Sequence, residues 1–256
     1  MESTRGSAIE RHASKLPEVT LVFWILKIAA TTLGETGGDT VTMTFNWGYL
    51  TGTALFLALL LVLIVAQIAV DRFHSPLYWA TIIASTTAGT TMADFADRSL
   101  GIGYAGGAAV LFVGLMTVLG LWYWSLGSIA VTTVNAPKAE AFYWAAITVS
   151  QTLGTALGDW TADDTGLGYE GGALVFAAAL AALAVGYYWT GVSRVLLFWA
   201  AFILSRPLGA TVGDFLDKPV SDGGLAWSRP LASAVIGAFI ILCLLVLPQR
   251  AGRHPG

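Results

Sequence analysis

Eight separate apolar segments constrain what this chain can fold into more than any other feature. They lie near residues 18–38, 48–70, 76–96, 104–124, 138–159, 169–189, 194–215 and 229–247. A helix rises about 1.5 Å per residue, so a segment of this length crosses a hydrocarbon layer about 30 Å thick. The stretch from Leu55 to Val70 is continuously apolar, whereas the strands of a membrane barrel alternate. The sequence therefore predicts an all-α integral membrane bundle of eight transmembrane helices.

The composition fits a lipid environment and argues against several classes of protein. With 56% hydrophobic and 11% charged residues and a mean hydropathy of +0.71, the chain has more apolar surface than one water-soluble core could bury. Cys243 is the only cysteine and lies in the last apolar segment, which excludes a disulfide framework or a thiolate metal site. No basic block is present, so we expect no nucleic-acid partner. The lipid bilayer is the expected surrounding.

One motif recurs four times with constant spacing. The copies read FWILKIAATTLGETGGDT from Phe23, YWATIIASTTAGTTMADF from Tyr78, YWAAITVSQTLGTALGDW from Tyr143 and FWAAFILSRPLGATVGDF from Phe198. Ten residues after each Trp stands a glycine: Gly34, Gly89, Gly154 and Gly209. Fifteen residues after each Trp stands an aspartate: Asp39, Asp94, Asp159 and Asp214. Nine residues after each aspartate comes a second glycine: Gly48, Gly103, Gly168 and Gly223. Spacing kept four times indicates an internal structural repeat.

Each copy predicts a helical hairpin made of an odd-numbered helix, a short acidic loop and an even-numbered helix. Trp-to-Trp offsets of 55, 65 and 55 residues group the hairpins into two halves. We therefore divide the chain into a polar cytoplasmic tail (1–16), a first half with hairpins 1 and 2 (17–130) and a second half with hairpins 3 and 4 (131–256). Because a hairpin crosses the membrane twice, every copy enters from the same side, which makes the repeats parallel.

The basic residues predict the orientation of the chain. One group lies on the side that holds both termini: Arg5, Arg11, Lys15, Arg72, Lys138, Arg194, Arg250 and Arg253. Only Arg98, Lys218 and Arg229 lie on the other side, which also carries most of the acidic residues. By the positive-inside rule we expect a multi-pass membrane protein with both termini in the cytoplasm.

The odd helices carry a polar stripe. Seven, eleven and fifteen residues after the Trp stand Thr31, Glu35 and Asp39; Thr86, Thr90 and Asp94; Gln151, Thr155 and Asp159; and Arg206, Ala210 and Asp214. A spacing of four places each trio on one helical face. Because polar groups are costly against lipid, we predict an inner ring of odd helices around a path lined by Thr31, Thr86, Thr90, Gln151, Thr155 and Arg206. Small residues let helices approach closely, so we predict helix contacts at Gly34, Gly89, Gly154 and Gly209.

The four repeat aspartates are the candidate cation ligands. They lie about 22 Å along a helix from the Trp residues, near the outer membrane boundary, where they are expected to converge. Glu35 stands one turn before Asp39, so we expect Asp39 to matter most. Oxygen ligands without Cys or His suit hard cations, so a bound divalent cation is the only cofactor that we consider. The alternative is that the aspartates cap loops and contact water.

Two basic residues break the fourfold pattern. Arg206 replaces a Thr or Gln of the stripe and is either a counter-charge or substrate contact, or forms a structural ion pair with the Asp of a neighbouring repeat. Lys27 is expected to extend along its helix to the cytoplasmic interface. Interface positions are also the simplest interpretation of the tryptophans, which include Trp79, Trp122, Trp144 and Trp199.

The repeated TLGxxxGD-type motif resembles that of an uncharacterised family of bacterial multi-pass inner-membrane proteins built from helical hairpins. It occurs as TLGETGGD from Thr32 and TLGTALGD from Thr152. The resemblance covers nearly the whole chain beyond the tail. It implies the fold and the location, but it implies no activity and no functional residues.

Three functions remain open from the sequence. The first is an inner-membrane transporter or channel for a small cation, leaning to a hard divalent ion (Mn, Mg or Ca), through the Thr- and Asp-lined path. The second is a non-transporting membrane scaffold or accessory subunit. The third, a membrane enzyme on a lipid substrate, is not expected because no paired nucleophile and base appears. A hydrated path would favour transport, a dry seam of Thr and Gly the scaffold, and a lateral cleft the enzyme. The oligomeric state is not predicted.

Overall fold

The computed structural model describes residues 13–253, which contain eight long helices and one pair of short strands. We number the helices α1 (Leu21–Asp39), α2 (Tyr49–Ala69), α3 (Ser75–Asp94), α4 (Tyr104–Leu126), α5 (Pro137–Asp159), α6 (Gly168–Trp189), α7 (Arg194–Asp217) and α8 (Arg229–Val246). Strand β1 (Ala13–Pro17) pairs antiparallel with β2 (Ala251–Arg253). The prediction of an all-α chain built from four repeats is confirmed. Most of the predicted tail, including Arg5 and Arg11, lies outside the described residues.

Local sequence accounts for where several of the helices begin. The hydroxyl of Thr20 accepts a hydrogen bond from the backbone N–H of Phe23 and caps α1. Pro76 and Pro137 occupy the first turn of α3 and α5, where a missing N–H costs nothing. The polar loops between these starts and the preceding helices keep the eight helices separate.

Five helices of the described chain are long and apolar enough to cross a membrane: α2, α4, α6, α7 and α8. Helices α1, α3 and α5 do not meet this criterion of length and hydropathy. The difference follows from the polar stripe, which lowers the mean hydropathy of the helices that carry it. The structure therefore shows eight helices and several apolar spans, whereas the predicted count of eight crossings stays a prediction.

The four odd helices form a closed ring. Helix α1 packs against α3, α3 against α5, α5 against α7, and α7 back against α1. Each even helix lies outside the ring and packs on the odd helix of the next repeat: α2 on α3, α4 on α5, α6 on α7, and α8 on α1. The hairpins therefore interlock in a cycle, and the last helix closes it onto the first.

Glycines set the distance between neighbouring ring helices. A Cβ atom on Gly34 would lie within 3.0 Å of Thr86, and one on Gly209 would overlap Thr31 in the same way. At Gly89 the Cβ would stand 2.9 Å from the backbone of Gln151, and at Gly154 it would overlap the side chain of Arg206. In every case the repeat glycine of one helix faces the first stripe residue of the next. The same contact thus occurs four times around the ring.

The ring helices end in distorted turns on the side of the repeat aspartates, which we call the acidic side. Asp39, Asp94 and Asp159 are each followed by a π-helical turn, at Thr40–Thr44, Phe95–Ser99 and Trp160–Asp164. Helix α7 instead continues to Asp217. The second repeat glycine has a positive φ in all four copies: Gly48 (75°), Gly103 (79°), Gly168 (66°) and Gly223 (84°). Only glycine adopts this conformation without strain, which explains why it recurs.

The opposite end, which we call the terminal side, is closed by an aromatic layer. Phe23 packs on Trp79 (ring centroids 5.7 Å apart), Tyr78 on Trp144 (5.8 Å), Tyr143 on Trp199 (6.4 Å) and Phe198 on Trp24 (5.9 Å). The expectation that the tryptophans are interface anchors is wrong for Trp79, Trp122, Trp144 and Trp199, which are buried. Trp79, Trp144 and Trp199 fill the space between ring helices, because a neighbouring repeat supplies a matching aromatic face. Trp122 of α4 packs on Phe142, Tyr143 and Trp199 from outside the ring.

The two strands pair the first and last described residues of the chain on the terminal side of this layer. Lys15 in β1 forms an ion pair with Glu140 of α5 (2.7 Å) and donates to the carbonyl of Ile68 (3.2 Å). The neighbouring Leu16 is buried in the main hydrophobic cluster. The last residues of the predicted tail are therefore an ordered part of the bundle.

Candidate functional site

The predicted path residues all lie inside the ring. Their side chains have no exposed surface in the structure: Thr31, Thr86, Thr90, Gln151, Thr155 and Arg206. Burial of this extent follows from the cyclic packing, which turns the polar face of each odd helix toward the other three.

The repeat aspartates come together at the acidic end of the ring. Glu35, Asp159 and Asp214 each place a carboxylate oxygen within 4.8 Å of the other two, and Asp39, Asp214 and Asp217 do the same. Asp214 belongs to both trios. All five residues are buried, and Asp39 is only 1% exposed although its Oδ1 has no hydrogen-bond partner. The carboxylates therefore share one desolvated cluster and are not spread over separate loops.

Asp217 is a member of this cluster that the repeat pattern did not single out. It lies three residues after Asp214 on α7, so both carboxylates share one face of that helix. At the equivalent position the other repeats have Thr42, Asp97 and Ala162; only Asp97 is acidic, and it lies in a π-helical turn outside both trios. A search for acidic residues at helical spacing, instead of for the fourfold motif, would have found it.

Basic residues surround the cluster on its outer edge. Lys218 Nζ lies 3.0 Å from Asp214 and 3.6 Å from Asp39, and Arg229 Nε lies 3.2 Å from Asp217 and 3.5 Å from Asp39. Arg98 Nε lies 3.0 Å from Asp94. These are the three basic residues that the orientation argument placed on the acidic side, and all three contact the cluster.

The carboxylates of the cluster keep the outer basic residues charged. Burial by itself lowers the pKa of Lys218, but the carboxylates of Asp214, Asp39 and Asp217 raise it above its ordinary value. Burial likewise opposes the charge of Arg98, and Asp94 and Asp159 raise its pKa. Both residues therefore stay cationic at any physiological pH.

Arg206 closes the inner edge of the cluster. Its Nη2 donates to Glu35 Oε2 (2.9 Å), Thr90 Oγ1 (2.6 Å) and Thr155 Oγ1 (2.6 Å). Residues from all four ring helices therefore meet at one guanidinium. Of the two interpretations left open by the sequence, the structure shows the ion pair with a neighbouring repeat, formed with Glu35 and not with an aspartate.

The expectation that Lys27 extends to the interface is wrong. Its side chain has no exposed surface and crosses the ring, where Nζ lies 3.5 Å from Gln151 Oε1 and 4.1 Å from the ring centre of Phe202. The aromatic layer on the terminal side leaves no route for the side chain in that direction. Lys27 therefore keeps its ammonium group on the axis of the bundle.

Asp94 and Asp159 complete the cluster in different ways. Asp94 belongs to neither trio and is held by Arg98. Asp159 forms no ion pair within residues 13–253, although its carboxylate lies in the first trio. The fourfold motif thus supplies four aspartates at one level, but their partners differ. Only the second and fourth copies have a basic residue four positions after the aspartate, Arg98 and Lys218, and Arg229 has no basic counterpart in the other copies.

The cluster as a whole has an excess of acidic groups. Six carboxyl groups are gathered there: Glu35, Asp39, Asp94, Asp159, Asp214 and Asp217. They face the four basic residues Arg98, Arg206, Lys218 and Arg229, which leaves two carboxylates without a balancing charge. Carboxylates crowded in a desolvated site either take up protons or bind a cation. A hard divalent ion supplies the charge and prefers oxygen ligands.

The ring is closed along its axis. A cavity of about 420 Å³ lies on the outside of the bundle, between the start of α3 and residues Leu244 to Gln249. A second of about 280 Å³ is an apolar groove between α4 and α5, lined by residues such as Phe112 and Trp160. Neither of these two cavities enters the ring. All six carboxylate residues of the acidic cluster are buried, so the cluster is occluded in this conformation.

Threonine hydroxyls next to the stripe residues bond within their own helices. Thr32 donates to the carbonyl of Ile28 (3.0 Å), Thr87 to Ile83 (2.8 Å) and Thr152 to Thr148 (3.1 Å). Such bonds satisfy a hydroxyl without water. This part of the ring matches the dry seam that would suit a scaffold.

Comparison with known proteins identifies the repeat but not an activity. A family model described as a repeat of unknown function (DUF347) matches residues 22–73, 77–128, 142–193 and 197–250. The four matches cover most of the chain and begin close to each of the four aromatic–Trp pairs. Neither the curated proteins nor the solved structures contain a significant match.

Proposed function

The chain belongs to the DUF347 repeat family, and from that premise we propose that it transports a small hard cation, with a divalent metal ion as the preferred substrate. The buried acidic cluster carries the proposal. Two carboxylate trios share Asp214, and one of their members, Asp39, has a carboxylate oxygen without a hydrogen-bond partner among residues 13–253. A group of this kind would be costly to retain in a bundle that only packs against lipid.

The proposal places all eight helices across the bacterial inner membrane with both termini in the cytoplasm. Helices α1, α3 and α5 then cross as members of the ring, with their polar faces toward the other odd helices and the even helices between the ring and lipid. Basic residues on the terminal side support this orientation. The acidic cluster would lie near the outer surface, and the aromatic layer would close the cytoplasmic end.

The basic residues give the proposed site a way to bind and release its substrate. Lys218 and Arg229 are one-quarter exposed or less and reach Asp39, Asp214 and Asp217 from the outer edge. A cation that enters the cluster competes with these side chains for the same oxygens. Displacement of Lys218 and Arg229 toward water would therefore accompany binding, and their return would favour release.

Cation flux into liposomes tests the proposal. Purified protein is reconstituted and the flux of Mn²⁺, Mg²⁺ and Ca²⁺ is measured with and without a proton gradient. Asp159→Asn should remove flux with little loss of folding, because Asp159 stands in the first trio without an ion pair. The matched control is Asp164→Asn, an exposed residue of the following turn. Equal flux in the two variants would refute the ligand role of Asp159.

A non-transporting scaffold is the second candidate, and the internally bonded hydroxyls of the closed ring favour it. A scaffold predicts that no cation crosses the membrane and that no divalent ion binds the purified protein. It also predicts that Asp159→Asn stabilises the bundle by removing an unbalanced charge. Measuring flux and thermal stability on the same two variants separates the candidates.

A further inference from the structure

A second polar layer lies inside the ring, between the acidic cluster and the aromatic layer. It contains Lys27, Thr86, Gln151 and the inner face of Arg206, none of which has exposed surface. These residues stand at the third and seventh positions after the repeat Trp residues, so they occupy neighbouring levels of the ring. The layer is distinct from the carboxylate trios.

The layer contains several buried hydrogen-bond donors that have no acceptor among the described residues. Gln151 Nε2, Arg206 Nε and Arg206 Nη1 are buried without a hydrogen-bond partner, and so is Thr86 Oγ1. The amide of Gln151 is oriented by Lys27, whose ammonium donates to Oε1, so the unpartnered end of the amide is its NH₂ group. Buried polar groups are nearly always paired, and each orphan costs about 1–3 kcal/mol. Several orphans of one kind in one layer point to a missing acceptor.

The charged residues of the layer, Lys27 and Arg206, are both cationic. Lys27 forms no ion pair within the described chain, and its ammonium group contacts the amide oxygen of Gln151 and the face of the Phe202 ring. Arg206 is paired with Glu35 of the acidic cluster. Lys27 therefore is the cation of this layer that has no carboxylate beside it within the described chain. A buried charge without a counter-ion is strongly unfavourable.

We infer that Lys27, Gln151, Arg206 and Thr86 bind one small monovalent anion of halide size on the axis of the bundle. A halide accepts hydrogen bonds from every direction, which suits four donors that come from different helices. It also supplies the negative charge that Lys27 lacks. Larger oxyanions would not fit, because the contacts of Gly89 with Gln151 and of Gly154 with Arg206 hold these helices together. Lys27 and Gln151 have long side chains, so their ends can move apart to admit an ion.

Binding of labelled chloride to the purified full-length protein tests this inference. The experiment is done with a chelator present and no divalent cation, so its outcome does not depend on cation transport. We expect about one chloride per chain, displaced by bromide but not by gluconate. Chloride should also raise the midpoint of thermal unfolding by about 3 °C relative to gluconate. Absence of both effects would overturn the inference and leave water as the acceptor.

Two substitutions locate the anion. Lys27→Met should lower chloride affinity at least tenfold, whereas Lys138→Met, which removes an exposed lysine at the start of α5, should not change it. Gln151→Glu is nearly isosteric and places a carboxylate where the anion would bind. This variant should fold in gluconate, bind no chloride and lose the chloride-dependent rise in midpoint. Unchanged chloride binding in Gln151→Glu would show that the ion binds elsewhere and would refute the assignment.

Discussion

The two ends of the ring are built from the same repeat, but different interactions stabilise them. On the terminal side each repeat contributes an aromatic residue and a Trp, and the four pairs pack in a cycle of nearly equivalent contacts. On the acidic side each repeat contributes an aspartate, and the four aspartates have different partners. Apolar faces can be repeated around an axis without penalty. Like charges cannot, because four carboxylates at one level repel each other.

In a chain built from repeats, function is to be sought where the copies differ. The symmetric end is a structural closure, and its residues are interchangeable in kind. The asymmetric end contains charged residues that only one or two of the four copies supply: Arg98, Lys218, Asp217 and Arg229 near the surface, with Arg206 below. Departures from the repeat thus mark the places where a charge had to be balanced.

Asp214→Asn is expected to have the largest effect. Asp214 belongs to both carboxylate trios and holds Lys218, so its loss removes a ligand from each trio at once. We expect divalent-cation affinity to fall about 100-fold, measured by titration calorimetry on the purified protein. Asp39→Asn, which touches one trio, should cost less, and this reverses the ranking expected from the sequence. A larger loss for Asp39→Asn would restore that ranking and weaken the role of the shared aspartate.

Gly154→Ala tests the fourfold contact that joins the two ends. The added Cβ would overlap Arg206, so α5 and α7 must separate, at a cost of about 3 kcal/mol. Gly186→Ala is the control, because its nearest neighbour, Leu197, would be 3.8 Å away, an ordinary contact. Thermal unfolding in detergent should show a much lower midpoint for Gly154→Ala alone. Equal midpoints would mean that the ring is not closely packed at this level.

Tyr78→Phe probes the terminal end. The hydroxyls of Tyr78 and Tyr143 lie 2.8 Å apart, and loss of that hydrogen bond should destabilise the protein by about 1 kcal/mol. Because the aromatic layer is far from the carboxylates along the ring, cation affinity should not change. A clear shift in cation affinity for Tyr78→Phe would break the separation between a structural end and a functional end.

Cysteine substitution in the exposed loops of the acidic side is expected to have the smallest effect on folding and flux. Cysteines at Asp164 and Asp222, introduced into a Cys243→Ala background, replace exposed residues and should leave folding and flux unchanged. If the acidic side faces outward, a membrane-impermeant maleimide should modify both positions in intact cells. Modification only after permeabilisation would reverse the proposed orientation while leaving the geometry of the cluster intact.

The sequence by itself determined the elements of this protein and their order. Apolar length specified the helices, and the spacing from Trp to Gly to Asp specified which residues share a face. Both are local properties: a 3.6-residue period places Thr31, Glu35 and Asp39 on one side of α1 whatever surrounds it. The recurring glycines before α2, α4 and α8 and at the start of α6 are local as well, since a positive φ depends only on the backbone at that residue.

Only the tertiary structure decided which helices meet and which charges pair. No pattern within a hairpin indicates that α2 packs on α3 or that α8 returns to α1, because these contacts depend on closing the ring. The burial of Trp79 and Trp144 follows from that closure, as does the position of Lys27 on the axis. Arg206 bonds to Glu35, Thr90 and Thr155 from three other helices. Such partners become neighbours only when the four odd helices enclose one axis, so the pairing of charges is a property of the assembled ring.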